Sequence, residues 1–272
     1  MRVWVLGTGS AGNAVLVESG STRVIIDAGF PVRELAKRLA GIGVSGDSIE
    51  GAIVTHEHND HVRGVCAAAK RWKWDVYAST GTIAGYPLLR EICARPFVAG
   101  ATLELGDLSV QTVRTPHDGT EPVAVVATAR SSGTRAGIVY DLGHVPASYR
   151  TTFDRLDILV LESNHDEGML RAGPYPPSVQ ARIGGAFGHL SNRRAGMFAR
   201  DCAHAGLAQL VLAHLSERCN DPAIALSSMR DALARTGFRG VMSAASQGAS
   251  CGPFTAGRGA TALSGGQLSL EL

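Results

Sequence analysis

The sequence predicts an α/β fold in which two β-sheets pack face to face with helices on the outside. Three observations lead there. Short apolar or β-branched runs bounded by Gly, Ser and Asn dominate the first half. Helical periodicities occur in both halves, and the residues with catalytic or metal-binding chemistry stand directly after strand-like runs.

Taken in order, Val3–Leu6, Ala14–Glu18 and Arg23–Asp27 read as strands separated by GTGSAGN and SGS. Pro31–Ala40 reads as a helix, with Leu35 and Leu39 at i, i+4 spacing. Gly51–Thr55 is a buried-strand signal that runs into a cluster of His and Asp, followed by helix Val62–Trp72 and strand Asp75–Ala78. Thr102–Leu105, Ser109–Thr115 and Val123–Thr128 are further strands, while Ala136–Asp141 and Ile158–Glu162 are buried strands ending in an acidic residue. Helix Ala195–Ala205, strand Gln209–Ala213 and helix Pro222–Thr236 complete the pattern. Residues from about 249 to 272 read as a variable Gly/Ser/Ala-rich tail around a terminal strand, Gln267–Leu270. Neither a fixed-period repeat nor a low-complexity linker interrupts the chain, so 1–272 is expected to be one domain.

A doubly wound sheet competes, because Gly7-Thr8-Gly9-Ser10-Ala11-Gly12 spells GxGxxG after a strand. That fingerprint works only where the last glycine opens a helix toward a pyrophosphate. Here strand-like Ala14–Glu18 follows, so the glycines are read as a turn between strands.

With 272 residues the chain can bury roughly three quarters of its surface without a staple. Its 45% apolar and 18% charged residues exclude a disordered or fibrous protein. A net charge of +2 neither requires nor excludes nucleic acid. The five cysteines form no CxxC pair, which argues against a disulfide framework or zinc ribbon. MRVWVLGTGS lacks the plan of a signal peptide, and no apolar run reaches the ~18–20 residues of a membrane span. A soluble, cytoplasmic protein without a membrane partner is expected.

The strongest chemical signal is Thr55-His56-Glu57-His58-Asn59-Asp60-His61. Alternation puts His56 and His58 on one side as the strand gives out, and Asp60 and His61 lie where the next helix begins. One metal can take the first pair and a second metal the other. Metal sites close at four to six ligands, so others must come from strand ends on the same rim. His117, Asp141 and His214 qualify, each a polar residue at the end of an apolar run.

With these residues the sequence resembles the metallo-β-lactamase superfamily: HxHxDH is His56, His58, Asp60 and His61, and the later His, Asp and His are His117, Asp141 and His214. The resemblance implies a four-layer αβ/βα sandwich of two mixed sheets with two divalent metal ions at one edge. His56, His58 and His117 would bind one ion, Asp60, His61 and His214 the other, and Asp141 would bridge them beside a water or hydroxide. Asp27 would orient the histidine loop from behind. Histidine with carboxylate suits zinc or manganese and is compatible with iron. A cysteine stands in true β-lactamases where this chain has Asp141, which disfavours antibiotic hydrolysis.

Leu161-Glu162-Ser163-Asn164-His165-Asp166 and Gly188-His189-Leu190-Ser191-Asn192 look like loops of tRNase Z-type phosphodiesterases. Carried over, Glu162 holds His189, and His189 protonates the leaving oxygen. Asp60 would also steer the proton of the attacking hydroxide. Together with GTGSAGN and AHLSERCND, these segments are similar to the YycJ/WalJ branch, which implies a metal-dependent 5′→3′ exonuclease acting on DNA. The alternatives are a small-molecule phosphodiesterase, a thioester or lactone hydrolase, and a metal-loaded regulatory partner without turnover.

Ser10, Asn13, Asn164, Ser191 and Arg193 are candidate substrate contacts, and Ser191 is also a plausible N-cap. Arg194 could meet a phosphate, and His144 stands close to the site. Lys70-Arg71-Trp72-Lys73-Trp74 is read as a cationic helix end before a nucleic-acid contact, and His204 as a satisfied mid-helix histidine.

Overall fold

The computed structural model describes residues 1–256 and the backbone of 268–270. The chain lays down β1 (Arg2–Gly7), β2 (Ala14–Ser19) and β3 (Thr22–Ile26), then α1 (Val32–Gly41) and β4 (Gly51–Val54). Next come α2 (Asn59–Val62), α3 (Val65–Trp72), β5 (Asp75–Ser79), α4 (Thr80–Gly85), α5 (Leu88–Glu91) and β6 (Arg95–Phe97). Strands β7 (Thr102–Leu105), β8 (Leu108–Arg114), β9 (Val123–Ala129) and β10 (Arg135–Val139) follow. After α6 (Tyr149–Thr152) and β11 (Ile158–Glu162) come α7 (Glu167–Ala172), α8 (Pro177–Ile183) and α9 (Asn192–Cys202). The chain closes with β12 (Gln209–Ala213), α10 (Pro222–Leu233), β13 (Val241–Ala244), β14 (Cys251–Thr255) and β15 (Leu268–Leu270).

Among the described residues one sheet has the order β14-β1-β2-β3-β4-β5-β6 and the other β15-β13-β12-β11-β10-β9-β8-β7. Each joins an antiparallel part to a parallel part, β3 to β6 in one and β10 to β13 in the other. Parallel strands covered on both faces read as unbroken apolar runs, as in ILVLE of β11 and QLVLA of β12. Period-2 alternation then divides each strand between two cores. Val24 and Ile26 of β3 pack between the sheets with Val125, Ile138 and Val211, whereas Ile25 packs outward with Leu35, Leu39 and Ala68. On the opposite outside, Phe198, Ala199, Leu226 and Met229 cover Leu159, Leu161 and Leu210. The expected four-layer α/β sandwich is therefore what forms. No described helix is long and apolar enough to cross a membrane.

GTGSAGN connects antiparallel β1 and β2 and opens no helix, in line with the turn reading. The single helix expected over 62–72 is broken at Gly64. Its amide donates to the Ala28 carbonyl at 2.8 Å, and a Cβ there would stand 1.9 Å from the Phe30 carbonyl oxygen. The helix expected over 195–205 begins at Asn192, because Ser191 Oγ caps the Arg194 amide, and ends at Cys202. His204 therefore lies beyond the helix, its Nε2 2.9 Å from the Leu156 carbonyl. Trp72 and Trp74 are buried and stacked at 5.0 Å, and Trp74 donates its indole N–H to Gly46 O, as befits a helix end. Cys251–Thr255, read from sequence as tail, is an edge strand on β1, the position in a sheet that tolerates Pro253. Leu268–Leu270 pairs with β13, while Gln267 lies outside the described residues.

Candidate metal centre

The C-terminal ends of the parallel strands meet at one rim. Asp27 follows β3, Thr55 and His56 follow β4, Asp141 stands two residues past β10, Glu162 closes β11 and His214 follows β12. Asp27, Asp141 and His214 have φ of +63°, +56° and +54°, a left-handed conformation uncommon outside glycine. Each turns its side chain off the strand direction and into the rim, where hydrogen bonds hold Asp27 and His214.

Two groups of ligand atoms result. His56 Nε2 and His117 Nε2 lie 3.1 and 3.2 Å from His58 Nδ1. Asp60 Oδ2 lies 3.3 Å from His61 Nε2 and 3.7 Å from His214 Nε2. Asp141 stands between them, its Oδ2 2.8 Å from His61 Nε2 and 4.0 Å from His56 Nε2. Each triad, and the group His56, His61 and Asp141, could hold an ion. Converging imidazole nitrogens cannot all act as donors and acceptors for one another, whereas a cation among them satisfies every lone pair. Asp141 Oδ2 and His214 Nε2 are buried and make no directed hydrogen bond, so the donor set fits divalent metal.

Burial and charge pull these groups apart. Burial, with help from His61, holds His56 well below its ordinary pKa and hence neutral. His61 feels the same desolvation, but Asp141, Asp27 and Asp60 overcome it and raise its pKa well above the usual range. Burial also opposes ionisation of Asp141, yet His214 and His61 keep its carboxyl well below the normal range.

The shell behind the ligands is built from dispersed residues. Asp27 Oδ2 lies 2.7 Å from His61 Nδ1 and accepts from Thr55 Oγ1 and the Tyr140 hydroxyl, while Asp27 Oδ1 accepts from the Thr55 amide. The expected orienting role of Asp27 thus has a geometry, and sequence reasoning missed Thr55 and Tyr140. Thr8 accepts from the His214 amide at 2.9 Å and donates to Asn13 Oδ1. A polar residue in a glycine turn gives no signal of such a contact.

On the far side of the cluster, Glu162 Oε1 lies 2.8 Å from His189 Nδ1 and 3.2 Å from His214 Nδ1, and Oε2 accepts from the Leu142 and Leu190 amides. Burial lowers the affinity of His189 for its proton, but Glu162 and Asp141 outweigh it and lift the pKa to about 10. Burial opposes the Glu162 charge, and His189 carries that pKa down to about 2. The ring remains partly exposed, with its second nitrogen left for the cleft.

The cleft, of about 210 Å³, is lined by His58, Asp60, His117, Asp141, His189 and His214, with Ser10 and Ile183 at its margin. Asp118 and Arg182, which the sequence did not single out, line it too, and Asp118 Oδ2 accepts from Arg182 at 2.9 and 2.6 Å. Of the expected substrate contacts only Ser10 reaches this cleft. Asn13 is fully buried, its amide 3.0 Å from Asp60 Oδ2, so it holds the Asp60 carboxylate instead. Asn164 is turned to the His214 carbonyl, Ser191 caps α9 while donating to Glu167, and Arg193 is paired with Glu167. Close packing at the rim leaves Asn13, Asn164 and Ser191 no path to the cleft, whereas Arg193 is exposed and held away from it by Glu167.

A family model described as the metallo-beta-lactamase superfamily matches residues 7–159. Over 241 residues, 86% of this chain and 89% of the relative, the sequence is 29% identical to exodeoxyribonuclease YycJ of Bacillus anthracis. The metallo-beta-lactamase fold protein YhfI from Bacillus subtilis superposes with a TM-score of 0.69 at 18% identity, over 92% of this chain and 98% of that one. Human tRNase Z, short form, gives 0.62 at 18% identity, over 80% and 93%. The two structural likenesses speak for the fold, and the sequence relative supports the YycJ/WalJ-like branch. The chain belongs to the metallo-beta-lactamase superfamily.

Proposed function

We propose, from the premise of superfamily membership, that this chain is a divalent-metal-dependent phosphodiesterase, and specifically an exodeoxyribonuclease acting on DNA in the 5′→3′ direction. The observation that carries the reading is the Glu162–His189 pair beside the ligand cluster. His56, His58 and His117 would hold one ion, Asp60, His61 and His214 a second, and Asp141 both, with Zn²⁺ or Mn²⁺ suited to the donors. Such ions, when bound, ease deprotonation of water and offset charge building on phosphoryl oxygens.

The protein's own part is placement and proton supply. Glu162 accepts from His189 Nδ1, which fixes the ring and leaves Nε2 toward the cleft. A ring protonated through neutral pH can pass that proton to the departing sugar oxygen, a poor leaving group without it. Asp60, held by Asn13, is placed to take the proton of the attacking water. Arg182, steadied by Asp118 at the mouth, offers a guanidinium to the phosphodiester. Exodeoxyribonuclease relatives support DNA as the substrate. The cysteines, all free, suit the reducing cytoplasm. Thioester or lactone hydrolysis gives the acid less to do, and a regulatory partner without turnover gives it nothing.

The test is digestion of 5′- and 3′-end-labelled single- and double-stranded DNA with Mn²⁺, Zn²⁺ or chelator, beside Asp60→Ala. Metal-dependent release of the 5′ label first, absent in the variant, is expected. Metal-loaded protein that leaves both labels intact overturns the proposal.

A further inference from the structure

Two chain segments separate the cleft from a second cavity of about 400 Å³. One is 141–144, leaving the cluster at Asp141; the other is 184–189, carrying His189. They are locked together. His144 Nδ1 lies 2.9 Å from the Ala186 carbonyl oxygen, and His117 Nδ1 lies 3.1 Å from that of Gly188. A Cβ on Gly143 would stand 2.2 Å from Ala186 O and 2.6 Å from Phe187 N, so only glycine permits this approach. Phe187 therefore sits on a backbone tethered at both neighbours, yet its side chain is left in water at 61% exposure. Phe187 itself lines neither the cleft nor the cavity, but it lies in the segment between them, and an aromatic residue held rigid and open there has the character of a stacking platform.

The second cavity matches such a platform. Leu190 and Phe198 form an apolar floor, Met197 stands open at its edge, and His144, Arg194 and Asp201 supply the polar wall. The Arg194 guanidinium is fixed on the Gly143 carbonyl at 3.1 Å, and Arg150 holds Asp201 Oδ2 at 3.1 Å. A flat heterocycle suits this lining: one face stacks on the Arg194 guanidinium, its edge meets the Met197 sulfur, and Asp201 accepts from an exocyclic amino group. The volume falls in the range of small-ligand sites. Leu190 lines the cavity and His189 the cleft, so the two lie on either side of the stretch of chain that carries the proposed acid.

We infer that Phe187 and this cavity form a nucleobase subsite for the nucleotide on the leaving side of the scissile phosphate. The inference rests on the phosphodiesterase reading above. Its test is steady-state digestion of single-stranded DNA by the metal-loaded wild type, Phe187→Ala, Phe187→Trp and Met197→Glu. A matched oligonucleotide, abasic at the leaving-side position, runs in parallel. Phe187→Ala and Met197→Glu are expected to raise KM for intact DNA about tenfold, with kcat within about twofold. Phe187→Trp restores KM, and on the abasic strand wild type and Phe187→Ala coincide. An unchanged KM, or a loss that persists on the abasic strand, overturns the subsite while the nuclease reading stands. A metal-loaded wild type that digests neither strand overturns both.

Discussion

On one side of the cleft, His56, His58, Asp60 and His61 come from a single short stretch where β4 gives way to α2. On the other, Glu162, His189 and His214 come from three separate places in the chain and meet through hydrogen bonds made only in the folded state. Exposure does not follow that division: His58, Asp60 and His189 keep 32%, 23% and 22% side-chain exposure, whereas His56, His61, Glu162 and His214 are almost wholly buried. A side built from contiguous chain inherits its geometry from one backbone turn, and under the proposed function it holds ions. A side assembled from distant loops depends on packing for its geometry, and under the proposed function its His189 supplies the proton while His214 shares the second ion. The two sides should therefore fail differently.

The largest effect is expected for Asp60→Ala, which removes one ligand from the contiguous side. No cleavage above background should remain, with bound metal reduced when measured by elemental analysis. Next, His189→Ala should keep its metal but lose about 10²–10⁴-fold in kcat on DNA. The same variant should be largely spared on a p-nitrophenyl phosphodiester, whose leaving group needs no proton. If His189→Ala also loses its metal, the division between the two sides collapses.

Asp27→Asn should lower metal affinity about 10–100-fold without emptying the site at saturating ion, read by competition with a chromogenic chelator. A pH series sharpens the picture further. Burial alone would make His214 give up its proton easily, but Asp141, Asp60 and Glu162 raise its pKa to about 9. Below that pH a metal must displace this proton, and the one that the raised pKa keeps on His61, so affinity should climb as pH rises through neutrality toward about 9. Calorimetry in buffers of different ionisation enthalpy should detect the released proton. The smallest effect belongs to the far end of α3. Lys70→Ala touches only an exposed pair with Glu91, and should shift stability by less than about 0.5 kcal/mol in thermal melts with KM for DNA unchanged.

The same contrast separates what was legible in the sequence from what was not. The His56–His61 cluster was legible because its spacing is local and a buried strand precedes it. Asp141 and His214 were legible because polar residues at the ends of apolar runs lie on a rim whenever parallel strands align, and His117 because it follows the apolar run of β8, an antiparallel strand. Asn13 was misread as a substrate contact, since a turn asparagine looks alike whether it faces solvent or a neighbouring loop. Cys251–Thr255 was missed as a strand because Gly252 and Pro253 lower strand propensity, and its pairing with β1 spans almost the whole chain.

By itself the sequence determined the alternation that splits each strand between two cores, the apolar parallel strands and the local ligand motif. These depend on side-chain period and on residues a few positions apart. Tertiary structure alone decided that Thr8 holds His214, that Tyr140 and Thr55 share Asp27 with His61, and that the Ala186 carbonyl next to Phe187 is tied to His144. Those contacts join residues far apart in the chain, and they form only when the packed sheets bring the strand ends to one rim.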